Sequence, residues 1–179
     1  DRQGKWWLLE SFDMQVDTHG APQLLPVLGG NSFVTIPDNK VIAPDVIFPM
    51  LHGRNGEDGS VQGLAQLTHI PIVGCDMTAS SIAMDKLASK EIVSSHHVLV
   101  APYVVHHTGD QLPDFDKLSM TLGRPLFVKP SRAVSSVGVS KVYSDDALVN
   151  ALAEAHHHDK TVLVEQAITG REIEVAVLG

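Results

Sequence analysis

The hydrophobic residues in the first half of the chain fall into short runs separated by turns rich in glycine and proline. A continuous apolar run at 46–51 is typical of a buried parallel strand, and residues 70–74 form a similar run. Between them lie a loop with three glycines at 52–59 and a helix predicted to end at Leu67 or Thr68. This order predicts a βαβ unit, whose ligand edge is the loop after its first strand.

The segments before this unit are less regular. Residues 1–12 predict a hairpin, with the adjacent Trp6 and Trp7 on opposite faces of its second strand. Residues 13–44 carry many glycines, prolines and aspartates, so we expect a long connection that contains short strands.

The second half of the chain alternates between strand-like and helix-like patterns. The predicted elements are a helix at 78–95, strands at 98–105 and 126–128, a helical turn at 118–122, a strand resuming over 137–142, a helix capped by Ser144, and strands at 162–168 and 172–178. Two strands, a helix and two more strands over 126–178 predict a small α+β lobe.

The hairpin at 126–142 carries the first candidate chemistry. Lys129 ends its first strand, and the adjacent hydroxyls of Ser135 and Ser136 lie in its loop. A fixed cation facing hydroxyls and free backbone N–H groups can cradle a phosphate. The same residues also fit an ordinary exposed hairpin with a solvated lysine.

Other charged residues allow equally plain interpretations. Lys86 and Lys90 are one helical turn apart and are consistent with a solvated helix face. The histidines at 96–97, 106–107 and 156–158 are interpreted as solvated, and consecutive helical positions cannot all ligate one metal.

Composition describes an ordinary globular protein and excludes several classes. The net charge is −8, and no stripe of lysine and arginine suggests nucleic-acid binding. No apolar run approaches the roughly 18 residues needed to cross a bilayer. One cysteine, Cys75, excludes an internal disulfide and fits a reducing compartment.

Both termini suggest part of a longer protein. The chain starts at Asp1 rather than at methionine and ends within the alternating pattern of the predicted strand at 172–178. We therefore expect a fragment, and the alternative is a sheet completed by a partner chain.

Several motifs together resemble one family. The run Leu-His-Gly-Arg-Asn-Gly-Glu-Asp-Gly at 51–59, followed by Gln-Gly at 62–63, is similar to the glycine-rich signature of D-alanine–D-alanine ligases. The match continues in order with Ala-Met-Asp-Lys at 83–86, Leu-Phe-Val-Lys-Pro at 126–130, Ser-Ser-Val-Gly-Val at 135–139, Val-Glu-Gln at 164–166 and the run at 170–179. The resemblance is weakest over 13–44.

The resemblance implies an α/β protein with the ATP-grasp fold. It implies an N-terminal α/β (βαβ) lobe over 1–80 and an ATP-grasp domain over 81–179. That domain would contain the central α+β lobe at 98–170, and the chain would be truncated before the C-terminal lobe. It also implies ATP as cofactor, magnesium or manganese held by residues outside this chain, D-alanine as substrate and a cytoplasmic protein of peptidoglycan synthesis that is a homodimer at full length.

Residue roles follow from the matched motifs. Lys86 and Lys129 would hold ATP phosphates, and Ser135 and Ser136 would lie in the loop that closes over them, with Ser135 also catalytic. The remaining expected ligands are Glu165, Gln166 and Ile168 for adenine, Glu172 for the ribose, and the catalytic His52 near the first D-alanine.

The implied reaction has two steps. ATP phosphorylates the carboxylate of one D-alanine, and the amine of a second then displaces phosphate. Charge neutralisation by lysines suits such phosphoryl transfer. The matched pattern leaves open a ligase for D-alanine with D-lactate or D-serine, another ATP-grasp ligase, or a catalytically dead nucleotide-binding remnant. Because the metal ligands would lie elsewhere, we expect these 179 residues alone to be inactive.

One departure from the family pattern generates a prediction. Val134 stands where the family loop has glycine before its paired serines. A β-branched residue does not readily adopt a positive φ angle, so we expect slow or incomplete loop closure. In the full-length enzyme, Val134→Gly should raise turnover and change nucleotide affinity, as measured by steady-state kinetics. Unchanged values for both would show the idea to be wrong.

Overall fold

The computed structural model describes residues 3–11, 17–133 and 136–176. The chain divides into two compact units, residues 1–81 and 82–179. Val134 and Ser135, which carry two of the sequence-based predictions, lie outside the described residues.

The first unit contains a four-stranded antiparallel meander. Its strands are β1 (Trp6–Trp7), β2 (Gln23–Val27), β3 (Ser32–Ile36) and β4 (Val41–Ile42), and they follow one another in space as in sequence. Trp6 pairs with Leu24 and stacks on the buried Phe33, with ring centroids 5.7 Å apart. Trp6 and Trp7 therefore form a strand as predicted and pair with β2, while Asp1 and Arg2, at the start of the predicted hairpin, lie outside the described residues.

The expected βαβ unit is present in reduced form. Helix α1 (Ser60–Thr68) ends as predicted, but the flanking apolar runs make only one parallel bridge, between Ile47 and Ile72. Pro49 and Pro71 lack the amide that a longer ladder needs. Phe48 is 66% exposed, so the first run is not a buried strand.

The predicted helix at 78–95 is two helices. They are α2 (Met77–Met84) and α3 (Lys86–Ser95). Asp85 between them is extended, and its carboxylate accepts hydrogen bonds from the amides of Leu87 and Ala88. Aspartate competes for backbone donors in this way, which starts a new helix rather than continuing the old one.

The second unit is built on a four-stranded antiparallel sheet. Its strands are β5 (Tyr103–His107), β6 (Leu126–Pro130), β7 (Ser140–Val142) and β8 (Thr161–Gln166), and their order is β5-β8-β6-β7. The predicted hairpin is confirmed, since β6 pairs with β7 from Leu126–Val142 to Val128–Ser140. Strand β5 starts later than predicted, after Pro102, and Leu99 is 98% exposed.

Two helices cover one face of this sheet. They are α4 (Phe115–Leu122), capped by Asp114, and α5 (Asp145–His158), capped by Ser144 as predicted. The core between helices and sheet contains Phe115, Leu122, Leu126, Val128, Val142, Leu148, Ala151, Leu152, Ala155, Val162 and Val164. Because strand side chains alternate, the odd-numbered β6 and β8 residues Phe127, Lys129, Leu163 and Glu165 lie on the opposite face.

The predicted strand at 172–178 does not form over its described part, residues 172–176. Ile173 and Val175 are 71% and 79% exposed. An alternating pattern becomes a strand only beside a partner with free backbone groups, and no described strand pairs with it. Residues 177–179 lie outside the described residues. Among the described residues, no helix is long and apolar enough to span a bilayer.

His106 is buried rather than solvated, which corrects the sequence-based interpretation. It is 7% exposed, and its Nδ1 lies 2.8 Å from Nε2 of His156 on α5. Its Nε2 meets no hydrogen-bond partner among the described residues. Burial, and next the neighbouring His156, lower the pKa of His106 below its ordinary value, against the opposing charge of Asp110.

The depressed pKa of His106 predicts acid sensitivity of the second unit. The folded state favours the neutral form of His106. The stability that this residue contributes is therefore complete above the unfolded pKa of about 6.5, and it is lost as the pH falls from there through the lower pKa of the folded state. His106→Asn should flatten this part of the pH dependence, whereas His97→Asn at an exposed position should not.

The chain offers a probe for each unit in this measurement. Both tryptophans lie in the first unit and both tyrosines, Tyr103 and Tyr143, in the second. Because tryptophan bands overlap those of tyrosine, tryptophan fluorescence is recorded in parallel during urea unfolding from pH 5 to 8, and a near-ultraviolet circular dichroism transition absent from the fluorescence reports the second unit. Equal pH slopes for wild type and His106→Asn would contradict the prediction.

Candidate functional site

A buried carboxylate lies at the centre of the charged face of the second sheet. Glu165 is 4% exposed on β8, and its cross-strand partners are Tyr103 on β5 and Phe127 on β6. Lys129 Nζ lies 2.5 Å from Glu165 Oε2, and Lys90 Nζ lies 3.2 Å from Oε1. Each carboxylate oxygen thus has its own ammonium group, which a buried charge requires.

Lys90 reaches this carboxylate from helix α3. Its ammonium also donates to the Ala101 carbonyl oxygen at 3.3 Å and lies 5.3 Å from the centroid of the Tyr103 ring. Its side chain is 15% exposed, so the solvated-face interpretation of Lys90 is wrong. We call Lys90, Lys129 and Glu165 the lysine–glutamate cluster.

Lys86 lies beside this cluster, one helical turn before Lys90. Its Nζ donates to the carbonyl oxygens of Ala133 at 2.5 Å and Ser131 at 3.4 Å. Burial, and next the positive charge of Lys129, lower the pKa of Lys86 below its ordinary value, while Glu165 opposes the change. The protein therefore holds two ammonium groups within electrostatic reach of one another, an arrangement that an anion would stabilise.

A second network fixes the start of the loop after β6. The Ser131 hydroxyl donates to Asp85 Oδ1 at 2.5 Å and accepts from the Leu87 amide at 3.0 Å. Arg132 makes a bidentate contact with Asp159: its Nε donates to Oδ2 at 3.1 Å and its Nη2 to Oδ1 at 2.7 Å. Although burial opposes it, the Arg132 hydrogen bonds hold the pKa of Asp159 below its ordinary value. Helix α3, the loop and the end of α5 are thereby joined.

The remaining predicted residues occupy less enclosed positions. Gln166 ends β8, where its amide donates to the Pro102 carbonyl oxygen at 3.0 Å. Ser136 is exposed with φ of 60°, and Ile168 and Glu172 are exposed beyond β8. Ser135 lies outside the described residues. Of the residues predicted from the sequence, the structure brings together Lys86, Lys129 and Glu165.

His52 belongs to the other unit, in the glycine-rich loop, and is exposed. The carboxylates of this loop accept hydrogen bonds from nearby backbone amides. Glu57 accepts from the Gly53 amide at 2.5 Å, and Asp58 accepts from the amides of Asn55 and Ser60 at 2.8 and 3.1 Å. Gly59, with φ of 93°, has no room for a side chain, because a Cβ would meet Ser81 Oγ and the Met77 carbonyl oxygen.

Two family models match the chain almost end to end. The model described as D-ala D-ala ligase N-terminus matches residues 1–75, and D-ala D-ala ligase C-terminus matches residues 92–179. The chain belongs to the D-alanine–D-alanine ligase family.

Relatives and solved structures agree with this membership. The chain is 43% identical to a D-alanine–D-alanine ligase of Sodalis glossinidius and 39% identical to one of Synechococcus sp. (strain CC9605), with all of this chain aligned to 52% and 53% of theirs. It therefore spans about half the length of the curated relatives it matches.

The structure resembles solved members of the ligase family. The D-alanine–D-alanine ligase of Coxiella burnetii superposes with a TM-score of 0.78 at 28% identity, covering 84% of this chain and 44% of that one. The VanG D-Ala:D-Ser ligase of Enterococcus faecalis superposes with a TM-score of 0.74 at 35% identity, covering 86% of this chain and 45% of that one. The expected α/β ATP-grasp fold class is confirmed.

Sequence reasoning missed the residues that support this candidate site, namely Lys90, Ser131, Arg132 and Asp159. One signal for Lys90 was available, because a lysine four residues after Lys86 shares its helix face. The contacts of Ser131 with Asp85 and Leu87, and of Arg132 with Asp159, carry no comparable local pattern, since each joins residues 27 or more positions apart in sequence.

The network around Ser131 generates a stability prediction. Ser131→Ala removes two partly buried hydrogen bonds of a buried hydroxyl and should lower the free energy of unfolding of the second unit by about 1–3 kcal/mol. Ser119→Ala is the matched control, since the buried Ser119 hydroxyl meets no hydrogen-bond partner among the described residues. Ser119→Ala should not lower the free energy of unfolding, because an unpaired buried hydroxyl costs desolvation without a compensating hydrogen bond. Urea unfolding followed by tyrosine circular dichroism measures both, and equal effects would contradict the assignment.

Proposed function

We propose that this chain forms part of a ligase that joins two D-alanines with ATP, releasing ADP and phosphate. The observation that carries the proposal is the meeting of Lys86, Lys129 and Glu165 on one face of the second sheet in a chain of this family. These residues are far apart in sequence and were expected to bind one nucleotide.

The proposed phosphate ligands are Lys86 and Lys129. Both ammonium groups are partly withdrawn from water, and Lys86 feels the charge of Lys129. A phosphate placed between them would relieve this repulsion and replace the carbonyl oxygens of Ser131 and Ala133 as the partner of Lys86. Lysine suits this role because its ammonium is a compact point charge on a flexible stem.

The proposed base-binding edge runs along the end of β8. Glu165 would accept from the adenine amino group, with Gln166 and the Ile168 backbone beside it, and Glu172 would bind the ribose. Support for this assignment comes from Glu165 Oε1, a buried acceptor that receives no hydrogen bond from the described residues. Such an atom is normally satisfied, so a ligand donor is a reasonable partner.

The proposed reaction proceeds through an acyl phosphate. The γ-phosphoryl group passes to the carboxylate of one D-alanine, the amine of a second attacks the carbonyl carbon, and phosphate leaves. His52 is assigned to the first D-alanine, and Ser135 and Ser136 to the loop that closes over the phosphates. Closure matters because water would otherwise hydrolyse the acyl phosphate.

The described residues do not bring together three or more His, Cys, Asp or Glu side chains that could hold a metal ion. Magnesium or manganese held by residues outside this chain stays a prediction. The cytoplasmic location, the role in peptidoglycan synthesis and the homodimer also stay predictions.

A ligase of D-alanine with D-serine is the second candidate. The VanG D-Ala:D-Ser ligase is 35% identical to this chain, and the D-alanine–D-alanine ligase of Bacillus anthracis is 39% identical. Assays with D-alanine, D-serine and D-lactate as the second substrate would separate the candidates by product mass.

The test uses the full-length gene product that contains this chain. Lys129→Ala and Lys86→Ala should each lower kcat/KM for ATP by about a hundredfold or more, because each removes a cation that stabilises the transferred phosphoryl group. Lys117→Ala is the control, since its side chain is 84% exposed and pairs with Asp114 on the same helix.

Product formation decides the outcome. D-alanyl-D-alanine detected by mass spectrometry, together with ADP release, supports the proposal, and the 179-residue chain alone should form none. Full activity in both lysine variants, or no ligation of any D-amino acid by the full-length protein, would refute it.

A further inference from the structure

Glu165 poses an electrostatic problem for nucleotide binding. Its side chain is 5% exposed and Lys129 binds its Oε2 at 2.5 Å. If Lys129 turns to a phosphate, as the proposed function requires, a buried carboxylate loses one of its two cations. A buried carboxylate without a cation takes up a proton or resists the change.

Lys90 is positioned to remain when Lys129 leaves. Its ammonium contacts Glu165 Oε1 on β8, and the Ala101 carbonyl oxygen and the Tyr103 ring at the start of β5, so it is held by residues from two neighbouring strands. Its side chain is more buried than that of Lys129, at 15% against 23% exposed. These contacts fix Lys90 at Glu165 and leave it poorly placed to follow a ligand.

The geometry at Oε1 adds a second point. Lys90 Nζ is 3.2 Å away, yet Oε1 accepts no hydrogen bond from the described residues. The ammonium therefore neutralises the carboxylate without occupying its lone pair in hydrogen-bond geometry. This oxygen is therefore open to a donor such as an exocyclic amino group.

We propose that Lys90 is a positioning residue, the permanent counter-ion of Glu165, which lets Lys129 leave that carboxylate for the phosphates of a bound nucleotide. The inference rests on the proposed function, since it needs a nucleotide to draw Lys129 away. Lys90 itself touches neither phosphate nor the reacting atoms. It acts through Glu165, whose charge it keeps constant between the free and the bound protein.

The test is the number of protons taken up on binding. In Lys90→Met, Glu165 has no cation once Lys129 turns away, so binding should take up about one more proton than in wild type. Isothermal titration of the non-hydrolysable ATP analogue AMPPNP at pH 8, in buffers of different ionisation enthalpy, measures this number.

Affinity and conservative variants complete the experiment, again in the full-length gene product. Lys90→Met should weaken AMPPNP binding about tenfold or more, increasingly as pH rises, because each added proton makes affinity pH-dependent. Lys90→Arg keeps the charge and should restore the wild-type proton count. Glu165→Gln in the Lys90→Met background should abolish the extra proton, and Lys117→Met is the exposed control.

The outcomes separate the two proposals. If wild type binds AMPPNP and Lys90→Met has the same proton count, the role of Lys90 is refuted while the proposed function stands, even where affinity falls through lost stability. If wild type binds no nucleotide, the proposed function fails and the role of Lys90 fails with it.

Discussion

The second unit depends on the burial of one carboxylate. Glu165 lies in the central part of the sheet, where its charge can persist only beside cations. Lys129 supplies one from the neighbouring strand and Lys90 the other from helix α3. The contact with Lys90 therefore also ties α3 to the charged face of a sheet whose opposite face packs on α4 and α5.

The two faces of this sheet differ, which explains how a small unit carries both an apolar core and a charged candidate site. On β6 and β8, alternate residues enter the apolar core, and those between them carry lysine and glutamate. Asp85, Ser131, Arg132 and Asp159 then fix the loop after β6 relative to helix α3 and the end of α5. The charged groups are consequently held by hydrogen bonds at several points.

Local patterns predicted the elements whose stability is local. Helix α1, the cap at Ser144 and the β6–β7 hairpin follow from short-range spacing and capping residues. A prediction failed where pairing depended on distant residues, as for the exposed run at 172–176. The helix break at Asp85 shows that a single capping side chain can outweigh a continuing apolar stripe.

The ordered motifs in the sequence by themselves determined the family, the fold class and the identity of Lys86, Lys129 and Glu165 as candidates. Only the tertiary structure decided that Lys90 forms an ion pair with Glu165 and that His106 is buried. It also decided that the carboxylates of Glu57 and Asp58 accept hydrogen bonds from the backbone of their own loop. The physical reason is that charge and burial are properties of neighbours. Residues such as Lys90 and Glu165 become neighbours only when strands and helices pack.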